Sequence, residues 1–314
     1  MLSAFAGAGA GCGGERKTAS ADGVAVPVDS MGAAPTNVAT IALHARPTLV
    51  ENSALAMSRQ QAGVLFSIND SGNEAVLFAI DTLGADRGTW RVKQSKNVDW
   101  EALSIGPCAS GSSTGCIYIG DVGDNDEKHP TRTIYRVTEP DVKDSTFSGT
   151  VSADHVEFSY SDRRHDVEAM YVAPNGDMFL ITKRPLRTLL RRMRPALVFR
   201  VPASAWTSKK PVVAELVDSL SIVPGSAPLR VVTDASLSAD GARLVVRTYT
   251  QAFVYATSAT TGRVNHSVTP AICNLTSLGE AQGEGIAWVA ATGRLAFSTE
   301  GRAAPLHLAN CPVP

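Results

Sequence analysis

Residues 97–125 read NVDWEALSIGPCASGSSTGCIYIGDVGDN: two short apolar runs, a Gly/Ser loop between them, and acids at both ends. The first run opens on Asp99 and Glu101, and the second closes on Asp121 and Asp124. Short apolar runs broken by a Gly-rich loop are the pattern of a β-hairpin. In an antiparallel hairpin the start of the first strand and the end of the second lie at one end, so these carboxylates are expected to gather there.

The pattern recurs along the chain. Ser53-Ala-Leu-Ala precedes the run VLFSIND (64–70), Asp166-Val-Glu-Ala-Met precedes MFLITK (178–183), Thr233-Asp-Ala-Ser-Leu precedes LVVRTY (244–249), and Gln282-Gly-Glu-Gly-Ile precedes LAFSTE (295–300). Two further strand-like runs follow each hairpin except the last, which is followed by one, residues 305–308. The run VATIALH (38–44) at the other end of the chain supplies the missing strand. The expectation is an all-β propeller of five four-stranded blades, closed by an N-terminal strand, with six blades as the alternative. The physical reason is that one twisted sheet cannot bury both its faces, whereas blades stacked around an axis can.

The composition sets bounds on the rest. A formal net charge of -1 on 314 residues offers no electrostatic basis for nucleic-acid binding or for an anionic membrane surface. Residues 1–35 are rich in Ala, Gly and Ser without periodicity, and a weakly apolar run ends at Cys12. Two readings stand for this segment: a lipoprotein-type signal that leaves a lipid on Cys12, or a plain leader. In both, a tether precedes one domain at 36–314. Cys108 and Cys116 bracket the Gly/Ser loop, and Cys273 and Cys311 flank the last repeat. Two bridges in these pairs would place the protein in an oxidising, extracytoplasmic compartment, secreted, periplasmic or lipid-anchored.

Stacking the repeats aligns Glu101, Glu168 and Glu284, each preceded two residues earlier by Asp99, Asp166 or Gln282. The second strands end on Asp70, Asp121 with Asp124, Lys183, Arg247 with Tyr249, and Glu300. Carboxylates crowded at one rim need a cation, shared protons or basic partners. One solution is a Ca2+-type site on Glu101, Asp121, Asp124, Glu168 and Glu284, since a hard cation takes oxygen ligands. The other is a self-neutralised ring with Lys183, Arg247 and Arg230 pairing the acids. Asp70, Asp99, Asp166, Lys183, Arg247, Tyr249 and Glu300 are the candidates for contact with a ligand, and His165 is the candidate for proton transfer. Residues 184–195 (RPLRTLLRRMRP) form a basic insertion beside this rim. The match of 111–115 to G-x-S-x-G lies in a loop between two strands, where a nucleophile elbow cannot form.

Asp99-Trp-Glu-Ala-Leu, Ile117-Tyr-Ile-Gly-Asp-Val-Gly-Asp-Asn and Gly283-Glu-Gly-Ile286 resemble secreted bacterial propellers of NHL-, phytase-like and gluconolactonase-like appearance. The resemblance covers about residues 52–300 and implies a propeller with a divalent ion, Ca2+ or another, held on its axis by a Glu-Gly-Ile-type glutamate. Glu284 carries that motif in full, whereas Ala follows Glu101 and Glu168. Two functions fit: a binding protein that holds a small molecule or a protein at the propeller face, or a metal-dependent hydrolase of a phosphoester, ester or lactone.

Overall fold

The computed structural model describes residues 31–43, 48–142, 148–183, 195–222, 231–289 and 293–314; Cys12, His44, Arg230 and the basic insertion through Arg194 lie outside them. Strand β1 (Thr36–Ile41) comes first in the chain but joins the last sheet. The first sheet is β2 (Asn52–Met57), β3 (Val64–Asn69), β4 (Val76–Asp81) and β5 (Asp86–Lys93). Next come β6 (Trp100–Pro107), β7 (Gly115–Asp121), β8 (Arg132–Thr138), β9 (Ser148–Ser152) and β10 (Asp154–Tyr160). They are followed by β11 (Val167–Val172), β12 (Met178–Thr182), β13 (Ala196–Val201) and β14 (Val212–Leu220). A further sheet holds β15 (Val232–Leu237), β16 (Arg243–Thr248), β17 (Gln251–Ala256) and β18 (Ala271–Asn274). The last consists of β19 (Gly283–Val289), β20 (Arg294–Thr299), β21 (Leu306–Asn310) and β1.

Within each unit the strands run as an antiparallel meander, and two parallel pairings tie units together at their outer edges. Strand β9 leaves its own unit to lie parallel on β5, and β10 lies parallel on β14. Unpaired outer strands invite edge-to-edge association, and these crossings cover β5 and join β10 to β14. The short, polar run Ser148-Gly-Thr-Val-Ser does not stand out as a strand in the sequence, because most of it faces solvent.

The innermost strands touch in a closed cycle: β2 on β6, β6 on β11, β11 on β15, β15 on β19, and β19 back on β2. β15 also reaches β2 and β6 across the centre, so the axis is narrow at that level. Apolar clusters glue each pair of neighbours. Phe66, Trp90 and Trp100 fill the first seam, and Tyr118, Met170 and Phe199 the second. Phe179, Val246 and Tyr255 fill the next, Val254, Trp288 and Phe297 the one after, and Leu55, Leu65 and Leu308 the last.

Closure is antiparallel pairing of β1 with β21, Ala39 opposite Leu308 and Ile41 opposite Leu306. Both strands sit slightly differently from the runs expected at 38–44 and 305–308: β1 starts at Thr36, and β21 continues to Asn310. The arm begins earlier still, since Ala33 bridges Cys273 on β18 and the Gln251 amide donates to Met31 O (3.1 Å). At its other end the Ala42 carbonyl lies so close to Gly84, which has φ +87°, that a Cβ there would collide with it.

Both expected disulfides are present, Cys108–Cys116 across the hairpin loop and Cys273–Cys311 between β18 and the chain just beyond β21. They point to an oxidising, extracytoplasmic environment. The second bridge closes the longer interval, 38 residues against 8. Loop entropy therefore assigns it roughly 4 kcal/mol against about 2.5 kcal/mol for the first. Denaturant unfolding of Cys273→Ser/Cys311→Ser is expected to show the larger loss, and an equal or smaller loss than Cys108→Ser/Cys116→Ser would contradict this account of the closure.

Candidate functional site

Every inner strand slips register once near its start: between Asn52 and Ala54, Trp100 and Ala102, Val167 and Ala169, Val232 and Asp234, and Gly283 and Ile286. A slip of this kind is a β-bulge, which turns one extra side chain out of the alternation. The residues at the slips are Ser53, Glu101, Glu168, Thr233 and Glu284, all buried. They meet across the seams. The Ser53 hydroxyl donates to Glu101 Oε2 (2.8 Å), and the Thr233 hydroxyl lies 3.2 and 3.1 Å from the carbonyls of Gly283 and Glu284. The bulge is thus the local device that aims the aligned glutamates at the centre of the ring.

The glycines around Glu284 have a packing reason. A Cβ on Gly283 would fall on the Arg247 guanidinium, and one on Gly285 on Ser298 Oγ and the Leu55 backbone. Arg247 itself is wholly buried. Its Nη1 donates to Gly285 O (2.7 Å) and Ser298 O (3.2 Å), and its Nη2 pairs with the buried Glu280. It clamps the β19 bulge and is not presented to the rim.

Each remaining expected residue has a definite place. Asp121 Oδ1 accepts from Asp99 N (2.8 Å) and from the buried Arg132 Nη2 (3.1 Å). Asp124 accepts from Lys128 N and His129 N, both at 2.8 Å, so it caps its own turn. Its backbone N donates to Asp166 Oδ1 (2.9 Å), whereas Asp166 Oδ2 is buried with no hydrogen-bond partner. Lys183 Nζ donates to Glu168 Oε1 at 2.7 Å. The Gln282 amide bridges Glu284 Oε1 (3.0 Å) and Glu300 Oε1 (2.7 Å). Tyr249 stands half-buried at the rim, where burial and the charges of Glu284 and Glu168 push its phenol pKa up. His165 is buried, with Nε2 2.8 Å from Asp162 Oδ1 and its ring against Tyr160 and Phe199.

Asp70, Asp99 and Glu101 each bring a carboxylate oxygen to within 4.8 Å of the others, close enough to share a metal ion. Gly123 permits this approach: a Cβ there would lie 2.6 Å from Asp99 Oδ2 and from Glu101 Cγ. Of the residues expected as ligands from the sequence, Glu101 belongs to this group; Asp121, Asp124, Glu168 and Glu284 are held by the partners just described. Asp234 escaped the sequence reading because it stands one place beyond the bulge. It is fully buried, and its carboxylate accepts from Leu55 N (3.1 Å), Ile286 N (2.8 Å) and Ala235 N (2.7 Å), stapling three inner strands together. Its signal was an acid at the place where two other repeats, at Ala102 and Ala169, carry alanine.

The electrostatics follow from burial. Desolvation, then the charges of Glu168 and Asp70, raises Glu101 well above the carboxylate range. Glu168 is raised by burial despite Lys183. Glu284 is pushed up to about 7 and Asp99 to about 6, burial being the largest cause for each. Burial acts to lower Lys183, but Glu168, Asp166 and Glu101 outweigh it and raise the ammonium pKa.

No protein-family model and no curated protein sequence matches the chain. Solved structures that resemble it distantly include Myxococcus xanthus glutaminyl cyclase (12% identity, 88% of this chain and 97% of that one, TM-score 0.48). The gluconolactonase XC5397 of Xanthomonas campestris is another (12% identity, 83% and 72%, TM-score 0.42). A third is the Pseudomonas aeruginosa periplasmic gluconolactonase PpgL (15% identity, 78% and 64%, TM-score 0.40). The sheets described above, with their inner strands in a closed cycle, make the fold a β-propeller.

Two outcomes test this arrangement. Arg247→Met leaves Glu280 buried without its cation and is expected to cost about 3–5 kcal/mol in denaturant unfolding; a loss under 1 kcal/mol would refute the clamp. The raised carboxylates mean that the folded state holds protons the unfolded chain releases. Without divalent ions, stability should therefore fall as pH rises from about 4.5, the usual glutamate value, through about 7 for Glu284, with Asp99, Glu101 and Glu168 adding to the fall. The share of Glu284 is on the order of 3 kcal/mol, and Glu284→Gln should remove that share.

Proposed function

We propose that the protein is a five-bladed, extracytoplasmic propeller whose axial carboxylates hold a divalent cation of the Ca2+ kind, and that the rim around this ion binds a ligand or partner. The observation that carries the reading is the convergence of Asp70, Asp99 and Glu101 on one point. The blade count is supported by the closed cycle of inner strands and the apolar seam between each pair. The charge balance supports the ion. Asp70, Asp99, Glu101, Asp166, Glu168, Glu284 and Glu300 influence one another at the rim, and Lys183 is the amine that acts on most of them. Arg132 and Arg247 are engaged by Asp121 and Glu280. A hard cation relieves this excess, and carboxylate oxygens are the donors it prefers. Bound there, the ion would supply a positive centre facing the rim, and Tyr249 and Glu300 would flank whatever approaches it.

A hydrolase of a phosphoester, ester or lactone would ask the same ion to polarise its substrate. Binding is favoured over it. The groups that would steady an anionic substrate, Lys183 and Arg247, are paired with Glu168 and Glu280, and the proton-transfer candidate His165 is bonded to Asp162 inside an aromatic pocket.

The test is thermal unfolding with Ca2+ or with chelator. An ion at a hundred times its Kd contributes about 2.7 kcal/mol, which raises Tm by roughly 5 °C or more. Glu101→Gln should abolish most of that increment. A melting temperature indifferent to Ca2+ and chelator removes the reading, and turnover in a phosphoester and lactone screen would move the assignment to the hydrolase.

A further inference from the structure

The inference concerns Lys183 and rests on the cation reading just proposed. Lys183 follows the end of β12, its backbone N donates to Asp166 O (3.0 Å), and its ammonium meets Glu168 Oε1 at 2.7 Å. Glu168 stands at the bulge position corresponding to Glu101 in the neighbouring unit, so the ammonium is inserted into the same ring of acids that contains the Asp70–Asp99–Glu101 group. Beside it, Asp166 Oδ2 is buried and has no hydrogen-bond partner. A buried carboxylate oxygen without a donor is a costly arrangement, and it persists only where something else claims it. The charge of Lys183 offsets that of Asp166, and Asp166 in turn bears on Asp99. The orphan oxygen is therefore an open acceptor two residues before Glu168, the amine's partner.

We propose that Lys183 is a built-in competing cation of the axial site. With no ion present, its ammonium neutralises Glu168 and partly offsets Glu101. An ion entering at Asp70, Asp99 and Glu101 repels the ammonium and loosens its hold on Glu168. Glu168 is thereby freed to face the ion. Ion and amine thus draw on one pool of carboxylates, and by linkage each weakens the hold on the other by the same factor. The arrangement makes the site selective. A divalent ion can displace the tethered charge, whereas a monovalent ion gains less from the same acids than it loses against the amine.

Calorimetric titration of the chelated, full-length protein with Ca2+ tests this directly. Lys183→Met is expected to tighten Ca2+ on the order of tenfold, a single charge being removed from the vicinity of the ion. Lys183→Met/Glu168→Gln, which removes both members of the pair and keeps the net charge, should return the affinity to near wild type. Unchanged or weaker Ca2+ binding by folded Lys183→Met overturns the competition while leaving the cation site standing. Absence of binding in wild type and variants alike overturns both readings. Binding in Lys183→Met with none in wild type supports the competition and shows it to be strong.

Discussion

The structure depends on holding several carboxylates in a space that water barely reaches. A buried charge must be paired, protonated or matched to an ion, and each choice carries its own geometric demand. All three are visible around the axis. Asp121 is paired with Arg132 and Glu280 with Arg247, both at full burial. Glu284 has its pKa displaced into the neutral range, so it holds a proton where an exposed glutamate would not. Asp70, Asp99 and Glu101 converge in the manner of an ion site. The two arginines of the ion pairs stand on strands behind the inner ones, Arg132 on β8 and Arg247 on β16.

Such an axis requires a ring that does not open. Repulsion among the acids pushes the inner strands apart, and the seams of aromatic and branched residues push back. The weakest place in any ring is where the chain starts and ends, and here several devices act on that seam. Strand β1 pairs with β21, Ala33 bridges β18, and Cys273–Cys311 ties β18 to the end of the last sheet. Asp234 adds a polar staple from the inside, since its carboxylate receives backbone N–H groups from both β2 and β19.

Much of this was legible in the sequence, and the boundary has a physical cause. Hairpins declare themselves through local alternation and Gly-rich breaks, and the repeat of that pattern points to the propeller and its closing strand. The Cys108–Cys116 bridge followed from a loop and its flanking residues alone. Of the glutamates aligned by the repeats, Glu101 joins Asp70 and Asp99, whereas Glu168 and Glu284 are held by Lys183 and Gln282. What could not be read was the assignment of partners. Arg132 sits on a third strand beside Asp121, and Glu280 lies in the loop that leads into β19, so neither pairing leaves a local mark. Arg247 ends a strand just as Lys183 follows one, yet a wholly buried guanidinium behaves differently from a rim ammonium. The pleat decides which way each points, and a bulge of one residue reverses it.

The bulge positions also explain why the ring tolerates its charge. If a glutamate stood at every slip, each would face two like neighbours in a medium of low dielectric. Instead Ser53 and Thr233 occupy two of the places, and both use their hydroxyls as donors. Ser53 gives a hydrogen bond to Glu101, and Thr233 satisfies backbone carbonyls on either side of the Glu284 bulge. Ser53 Oγ gives Glu101, the buried member of the converging group, a donor among its like-charged neighbours. The two hydroxyls thus divide the ring unequally. They lower the count of like charges in the ring, since neither Ser53 nor Thr233 carries one. The converging group of Asp70, Asp99 and Glu101 thus stands at the seam where one of these hydroxyls, that of Ser53, donates to a glutamate.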